Sequence, residues 1–100
     1  MLHLTQLIYI HEGQEEAFLE FESKAIPLMK KHQGEMLLRV RPTDETLIEG
    51  SVETPYEIHY MTFPSESDLE DYLQDEERQK YLHLKDQSIR STVLVAGDQV

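Results

Sequence analysis

Four side chains in this sequence have the types and spacing that could support acid–base chemistry on a small anion. Arg39 and Arg41 are two positions apart, so they share one face of a predicted strand. Two guanidinium groups on one face can bind a carboxylate through paired hydrogen bonds. His59 lies in the middle of another predicted strand, and an unperturbed imidazole titrates near neutral pH and can move a proton. Tyr9 stands near the end of the first predicted strand.

These residues form one site if strand parity brings them together in the cleft between the sheet and the helices, where ligands commonly bind. His59 and Tyr9 are then the predicted catalytic residues, and Arg39 and Arg41 are the predicted substrate-binding residues. The predicted chemistry is an isomerase-like or lyase-like proton transfer on a small organic anion, without a cofactor.

A purely structural interpretation of the same residues stays open. The two arginines can pair with Glu57 across the sheet, or with acids of a partner subunit. His59 is flanked by Ile58 and Tyr60. A histidine in that setting can be a hydrogen-bonded core or interface residue with no role in a reaction.

The hydrophobic pattern predicts four strands and two helices to position these side chains. The predicted strands cover 2–10, 35–41, 56–63 and 88–96, and the predicted helices cover 14–33 and the stretch from Ser65, which breaks or bends near Asp75. Pro27 should kink or split the first helix, and Gly34 is the expected cap at its end. Residues 42–55 are expected to form a loop with at most a short extended piece at 46–49.

The stretch from Tyr56 to Tyr81 gives the firmest local prediction. It reads as a strand that stops at Phe63, because the following Pro64 cannot donate to a sheet ladder. Ser65 can accept a hydrogen bond from the first helical turn, and Asp68 stands three residues later, close to a capping-box arrangement. The pattern predicts a strand followed directly by a capped amphipathic helix.

The predicted order β-α-β-β-α-β is that of the ferredoxin-like α+β fold, in which two helices pack on one face of a four-stranded antiparallel sheet. The open face cannot be mostly polar, because the first, second and fourth strands carry apolar residues on both sides. In the second strand, alternation puts Met36, Leu38 and Val40 on one face and Leu37, Arg39 and Arg41 on the other. A large exposed apolar face usually marks an interface, and twofold dimers are the commonest assembly. A homodimer joined through the open sheet face is therefore predicted, whereas a monomer would need the long loop to cover the sheet.

Length and composition narrow the class of protein further. One hundred residues predict a single domain over 1–100. The formal net charge of −11 should repel phosphate backbones and anionic lipids, so neither nucleic acid nor membrane is expected as a partner. There is no secretory signal pattern and no cysteine, which is compatible with a cytoplasmic protein.

Metal and cofactor motifs are missing from the sequence pattern. The five histidines have no ligand-type spacing, and the four glycines are scattered singly rather than gathered in a phosphate-binding loop. No Ser-His-Asp arrangement is indicated locally. Neither a metal nor a cofactor is therefore predicted.

Several short motifs, in order, resemble a known superfamily. They are Ile26-Pro27-Leu28, Lys31-His32-Gln33-Gly34-Glu35, Arg39, Glu49-Gly50, Phe63-Pro64-Ser65, Tyr72-Leu73 and Glu77-Arg78-Gln79. Together they resemble the dimeric α/β-barrel superfamily, and within it the group called domain of unknown function 1330, over about residues 9–97. The resemblance implies a ferredoxin-like monomer whose sheet pairs with that of a second copy to form a barrel.

The same resemblance implies three candidate classes of function. The superfamily includes cofactor-independent isomerases, non-catalytic binding or stress-response modules, and monooxygenases or haem-degrading enzymes. The resemblance implies that monooxygenases and haem-degrading enzymes of the superfamily use an Asn, a Trp and a His near the pocket. This chain has no Trp and no Asn. An antibiotic-biosynthesis-type monooxygenase is therefore disfavoured, while a non-catalytic small-molecule-binding module remains the alternative to an enzyme.

Overall fold

The computed structural model describes residues 1–98 and forms a sheet with helices on one face. Its strands are β1 (Leu2–Ile10), β2 (Glu35–Val40), β3 (Glu57–Phe63) and β4 (Ile89–Asp98), and its helices are α1 (Glu15–Leu28), α2 (Glu66–Leu73), α3 (Glu76–Gln79) and α4 (Leu82–Ser88). The sheet order is β2-β3-β1-β4 and every pairing is antiparallel. This is the predicted ferredoxin-like α+β fold, with the second predicted helix divided into three short ones.

One face of the sheet carries the core. Phe18 and Leu4 are each 1% exposed and Phe63 is fully buried, because α1 and α2 cover this face. Met29 and Tyr72 complete the cluster around Leu4 and Phe63. A second cluster lies between α1 and α4, where Phe21, Ala25 and Leu84 are buried together.

The other face of the sheet has no helix over it in the described chain and carries several large apolar side chains. The Cα positions span 36 × 36 × 16 Å, so the molecule is only two layers thick. Leu38, Val40, Val93 and Val95 point away from the helices and are 51%, 40%, 48% and 60% exposed. The expectation that this face is not polar is confirmed.

A bulge in β2 corrects the predicted parity of that strand. Met36 pairs with Met61, but Leu38 pairs with Tyr60, and the register shifts between them. Met36 therefore packs against the core under the helices, whereas Leu38 lies on the open face. Simple alternation had put these two residues on one face and was wrong, because one extra residue in a bulge reverses the parity of all that follows.

The end of the first helix also differs from the prediction. α1 passes through Pro27 and changes to a 3-10 turn over Met29–His32. The residue that ends this turn in the left-handed conformation is Gln33, with φ of 64°, rather than Gly34. Close packing requires a glycine at position 34, because a Cβ atom there would lie 2.5 Å from Cε1 of Phe63.

The junctions around α2 follow the sequence pattern. Ser65 Oγ accepts a hydrogen bond from the backbone N–H of Asp68 at 3.2 Å, which is the N-cap bond, and the Ser65 hydroxyl also donates to the Asp68 carboxylate at 2.8 Å. The predicted break falls at Asp75, whose carboxylate accepts hydrogen bonds from the N–H groups of Glu77 and Arg78 and so starts α3. Hydrogen bonds from His32 at 2.7 Å and Lys31 at 2.9 Å hold the pKa of Asp75 well below its usual range.

The remaining boundaries differ by a few residues. The long loop contains a 3-10 turn at Asp44–Thr46 and no strand at 46–49. β4 runs from Ile89 to Asp98 rather than over 88–96, and Ser88 ends α4 instead. The predicted tail residues Gln99 and Val100 lie outside the described residues. None of the helices in the described residues combines the length and the apolar character needed to cross a membrane.

Candidate functional site

A buried cluster of ionisable side chains lies between α1 and the centre of the sheet. Glu57 and His59 are on the helix-facing side of β3, opposite Ile8 and Gln6 of β1, and Glu22 reaches them from α1. Glu57 is 1% exposed, Glu22 is 4% exposed and His59 is 5% exposed. Three ionisable groups removed from water to this extent must interact strongly with one another.

The imidazole of His59 joins the two carboxylates. Its Nε2 lies 2.5 Å from Oε1 of Glu57 and 2.9 Å from Oε2 of Glu22, so this nitrogen carries a proton that faces both acids. The N–H bond is aligned with Glu57 only, and Oε2 of Glu22 is buried without an aligned donor. Hydrogen bonds therefore stabilise the ionised form of Glu22 less than that of Glu57.

The two predicted arginines complete the cluster from the β2 side. Arg39 donates from Nε to Glu57 and from Nη2 to Glu22, at 2.6 Å in each case. Arg41 donates from Nε to the second carboxylate oxygen of Glu57 at 2.9 Å, and its guanidinium lies over the ring of Tyr56. The pairing of both arginines with Glu57, which the sequence left open as a structural interpretation, is thus present.

The cluster separates the pKa values of its two carboxyl groups. Burial raises the pKa of Glu22; the contact with His59 opposes this, while the neighbouring Glu57 adds to it. Burial also opposes ionisation of Glu57, but hydrogen bonds from His59, from the protonated form of Glu22 and from the two arginines outweigh it and hold its pKa well below the usual range. Burial tends to lower the pKa of His59, yet its contacts with Glu22 and Glu57 raise it overall. Glu57 is therefore the fixed anion, and Glu22 and His59 are the groups able to exchange a proton.

A cavity of about 120 Å³ lies next to these two groups. Glu22, His59 and Gln6 supply polar side chains to its wall, and Arg78 lines it from α3. The rest of the wall is mainly apolar, from residues including Leu4, Ile8, Phe18, Met29, Met61 and Leu69. A mainly apolar cavity with a few converging polar groups is the usual form of a small-molecule site.

The structure brings together three of the four predicted site residues. Arg39, Arg41 and His59 share the helix-facing side of the sheet, so the condition of strand parity is met for these three residues. Tyr9 is on the opposite face, because it follows Leu7 in strand parity rather than Gln6. Its hydroxyl donates to the backbone oxygen of Glu53 at 3.0 Å, and the guanidinium of Arg90 lies over its ring. The condition under which Tyr9 was assigned to the site is therefore not met.

Sequence reasoning missed Glu22 and Arg78. Glu22 does not stand out in the sequence, because it is one of five glutamates between residues 12 and 22. It stands four residues after Phe18 and three before Ala25, which is the spacing of the buried stripe, and that signal could have identified it. Arg78 likewise stands four residues before the apolar Leu82, which is the spacing of residues on one helix face.

Glu22, Glu57 and His59 are also the residues of the described chain that come closest to a metal-binding set. One ligand atom from each lies within 4.8 Å of the others. Both carboxylates are already bound by guanidinium groups, however, through Arg39 and Arg41. A metal ion would have to displace these cations, so the donor set fits a proton-sharing cluster better than a metal centre.

Comparison with known proteins identifies the class of fold of this chain and the family to which it belongs. The chain has the fold of ferredoxin-like α/β proteins whose solved examples differ widely in sequence. It belongs to the family described as Domain of unknown function (DUF1330), which matches residues 7–98. No curated protein matches the chain.

Three solved structures illustrate the likeness of fold. A protein of unknown function from Rhodopseudomonas palustris has a TM-score of 0.85 at 11% identity, over 99% of this chain and 82% of its own. A dimeric protein of unknown function and ferredoxin-like fold from Bacteroides fragilis has a TM-score of 0.71 at 12% identity, over 98% and 95%. A protein from Nitrosomonas europaea, proposed to be an antibiotic biosynthesis monooxygenase, has a TM-score of 0.73 at 11% identity, over 100% and 99%. Identities this low establish the shared fold alone.

Proposed function

We propose that this protein is a homodimeric, cofactor-independent enzyme that moves a proton on a small organic anion held in the cavity between the sheet and α1. The observation that carries the proposal is the placement of Glu22 and His59, both more than nine-tenths buried, in the wall of that cavity. Two neighbouring carboxyl groups with separated pKa values are a common arrangement for acid–base catalysis. An isomerase-like or lyase-like step fits this chemistry.

Each member of the cluster has a separate role in this proposal. Glu22 is the group that takes or gives the proton, because burial and the neighbouring acid raise its pKa toward the working range. His59 relays a proton to or from Glu22, which is 2.9 Å away. Glu57 stays ionised and orients His59, and Arg39 and Arg41 keep Glu57 in place. The role of the two arginines as a substrate clamp remains a prediction, since their guanidinium groups already bind protein carboxylates.

The size of the cavity favours a very small substrate. A protein cavity of about 150 Å³ can hold benzene, which has six heavy atoms, so 120 Å³ corresponds to a molecule of at most about six heavy atoms. Drug-sized ligands and large cofactors usually occupy about 300–1,000 Å³. This supports a small-substrate enzyme over the monooxygenase or haem-degrading alternative. The non-catalytic binding module remains the second candidate, because the same cavity could bind a ligand without transforming it.

The dimer follows from the uncovered face of the sheet. Leu38, Val40, Val93 and Val95 leave an apolar surface that no described residue covers. A second copy is the proposed occupant, because a neighbour of the same fold from Bacteroides fragilis is dimeric and because an isologous contact closes after two subunits. The two sheets then form the barrel implied by the sequence resemblance.

Hydrogen–deuterium exchange at carbon tests the proposed reaction. Pyruvate and 2-oxobutyrate are incubated with the protein in D₂O, and loss of the proton signals next to the keto group is followed by ¹H NMR. The native protein is expected to accelerate exchange over buffer, and Glu22→Gln should lower the rate roughly 100-fold or more, as removal of a general base does.

A matched variant separates this effect from a general loss of charge. Glu16 is exposed on the same helix, so Glu16→Gln should exchange at the native rate. Equal rates in the native protein and Glu22→Gln would contradict the role of Glu22. No acceleration over buffer for any of a panel of short 2-oxo and unsaturated acids would favour the non-catalytic binding module.

A further inference from the structure

Arg78 is a buried arginine that has no ionic partner among the described residues of an acidic chain. It lies in α3, is 8% exposed, and forms no ion pair with any residue in the range 1–98. Its Nε is buried with no hydrogen-bond partner. Arginine is rarely buried to this extent unless an anion accompanies it, because an unpaired buried charge is costly.

The acidic side chain that contacts the backbone of Arg78 does not neutralise the charge of its guanidinium. Asp75 accepts a hydrogen bond from the backbone N–H of Arg78, but its carboxylate is paired with His32 and Lys31. The chain has 20 acidic residues against nine Lys and Arg, so acids are abundant elsewhere on the molecule. The missing anion is therefore a feature of this position and not of the composition.

Two aromatic rings hold the guanidinium of Arg78 in place. Its Cζ lies 5.6 Å from the ring centroid of Phe21 and 5.1 Å from that of Tyr72, which are distances of cation–π contact. Nη1 donates a long hydrogen bond of 3.3 Å to the backbone oxygen of Leu73 at the end of α2. That oxygen already accepts a hydrogen bond of 3.0 Å from the side chain of Gln79, so capping α2 does not explain why an arginine is required.

Arg78 lines the same cavity as Glu22 and His59. The cavity thus combines one buried cation that lacks an anion, an apolar wall and a pair of groups able to exchange a proton. A small carboxylate complements two of these features. Its negative charge pairs with the guanidinium, and its apolar chain packs against the wall.

We propose that Arg78 is the carboxylate-binding residue of this cavity and that the ligand is a short-chain carboxylate of about six heavy atoms. This inference rests on the proposed function for the idea that the ligand reacts, but binding itself requires only Arg78 and the cavity. The carboxylate binds the guanidinium, and the apolar chain lies against Leu4 and Met61. The anion site is then at Arg78 rather than at Arg39 and Arg41.

An isosteric pair of probes tests the assignment in the native protein. Isobutyrate and isobutyramide each have six heavy atoms and differ in charge, and both are titrated into ¹⁵N-labelled protein while backbone and arginine Nε–Hε signals are recorded. Isobutyrate is expected to bind at least tenfold more tightly than isobutyramide and to shift the Nε–Hε signal of Arg78. Equal binding of the two probes, absence of binding by isobutyrate, or a shift at Arg39 or Arg41 without one at Arg78 would overturn the proposal.

Variants add an independent comparison. Arg78→Met keeps an unbranched apolar stem against Phe21 and Tyr72 but removes the charge, and it should abolish the preference for isobutyrate. Lys80→Met removes an exposed charge two residues away and should retain the preference. A preference that survives in Arg78→Met would also overturn the proposal. Because these measurements need no turnover, carboxylate binding at Arg78 without carbon–hydrogen exchange would contradict the proposed reaction and leave this assignment intact.

Discussion

At the scale of single residues, the main feature is that two buried glutamates a few ångströms apart have different surroundings. Glu57 receives hydrogen bonds from Arg39, Arg41 and His59, whereas Glu22 receives an aligned one from Arg39 only. Two acids that share a site cannot both ionise easily, so the better-satisfied one takes the charge. The difference in hydrogen bonding therefore decides which carboxyl can act as an acid or base.

Glu57→Gln tests the structural half of this arrangement. The substitution keeps the shape but leaves Arg41 without its buried anion and Arg39 with Glu22 alone. We expect the free energy of unfolding at pH 7 to fall by about 2 kcal/mol, less than the roughly 3–5 kcal/mol of a fully buried pair because both arginines also reach solvent. Urea denaturation followed by circular dichroism measures this change.

An exposed ion pair provides the control for Glu57. Glu53 and Arg90 form a salt bridge of 2.6 Å on the surface, where the Glu53 side chain is 62% exposed. Glu53→Gln should change the free energy of unfolding by about 0.5 kcal/mol or less. A loss in Glu57→Gln no larger than that in Glu53→Gln would show that the buried cluster does not stabilise the fold.

Several site residues were predictable from residue spacing and others were not. Arg39 and Arg41 could be placed on one face because side chains alternate along a strand, whereas the position of His59 beside them depended on the pairing between strands. Glu22 comes from the middle of a helix that is rich in glutamate, and a glutamate is rarely buried unless it is paired, so its burial was not expected. Tyr9 was assigned to the site on condition of parity, and its position on the opposite face depends on pairing between strands that composition does not reveal.

At the scale of secondary structure elements, the close approach of β2 and β3 to the end of α1 depends on Gly34. This residue lies just before β2, and the ring of Phe63 occupies the space where a Cβ atom would stand. The sequence pattern identified the glycine but assigned it to the wrong task, since Gln33 adopts the left-handed conformation. Packing between distant elements, rather than local backbone geometry, sets the requirement.

Gly34→Ala should therefore destabilise the protein by overpacking. The added methyl group would meet the fully buried Phe63 at 2.5 Å, and we expect a loss of about 1–3 kcal/mol in the free energy of unfolding. Gly97→Ala is the matched control, because no atom lies within 4 Å of a Cβ at that position. Chemical denaturation measures the free energy of unfolding of both variants. Equal values for the two would contradict the packing role of Gly34.

The bulge in β2 shows where pattern reasoning at this scale stops. Order and type of the elements followed from hydrophobic periodicity and from the Pro64-Ser65 signal, and both agree with the structure. The register shift between Met36 and Leu38 left Arg39 on the predicted face but moved Met36 to the core. A single inserted residue is invisible in a run that is apolar on both faces, such as Met36 to Leu38.

At the scale of the whole molecule, the main feature is the open face of the sheet, through which we propose that two copies assemble. Its apolar side chains remain 40–60% exposed in the single chain, which is unusual for a stable monomer with so many acidic residues elsewhere. A second copy applied to this face would bury them and leave the cavity on the helix side of each sheet unchanged. Dimerisation and the proposed site are therefore structurally separate.

A charge placed on the open face should prevent assembly. Val95→Glu puts a carboxylate at a position on the open face that is 60% exposed in the single chain. Light scattering at micromolar concentration should give twice 11.8 kDa for the native protein and 11.8 kDa for the variant. Leu19→Glu, at an exposed apolar position on α1, should remain dimeric. A native mass of one chain would contradict the dimer.

The proposed function depends most directly on Glu22 and Glu57 having separated pKa values. The pH titration of the side-chain carboxyl ¹³C signals measures both groups in the native protein without any ligand. Glu22 should titrate above the ordinary value of about 4.3, and Glu57 should remain ionised as the pH falls through that value. Since the pKa of Glu57 is lowered, its contribution to stability should be complete above that value and be lost as the pH falls through the lowered pKa. Ordinary titration of both carboxyl groups near pH 4.3 would contradict the proposed acid–base pair.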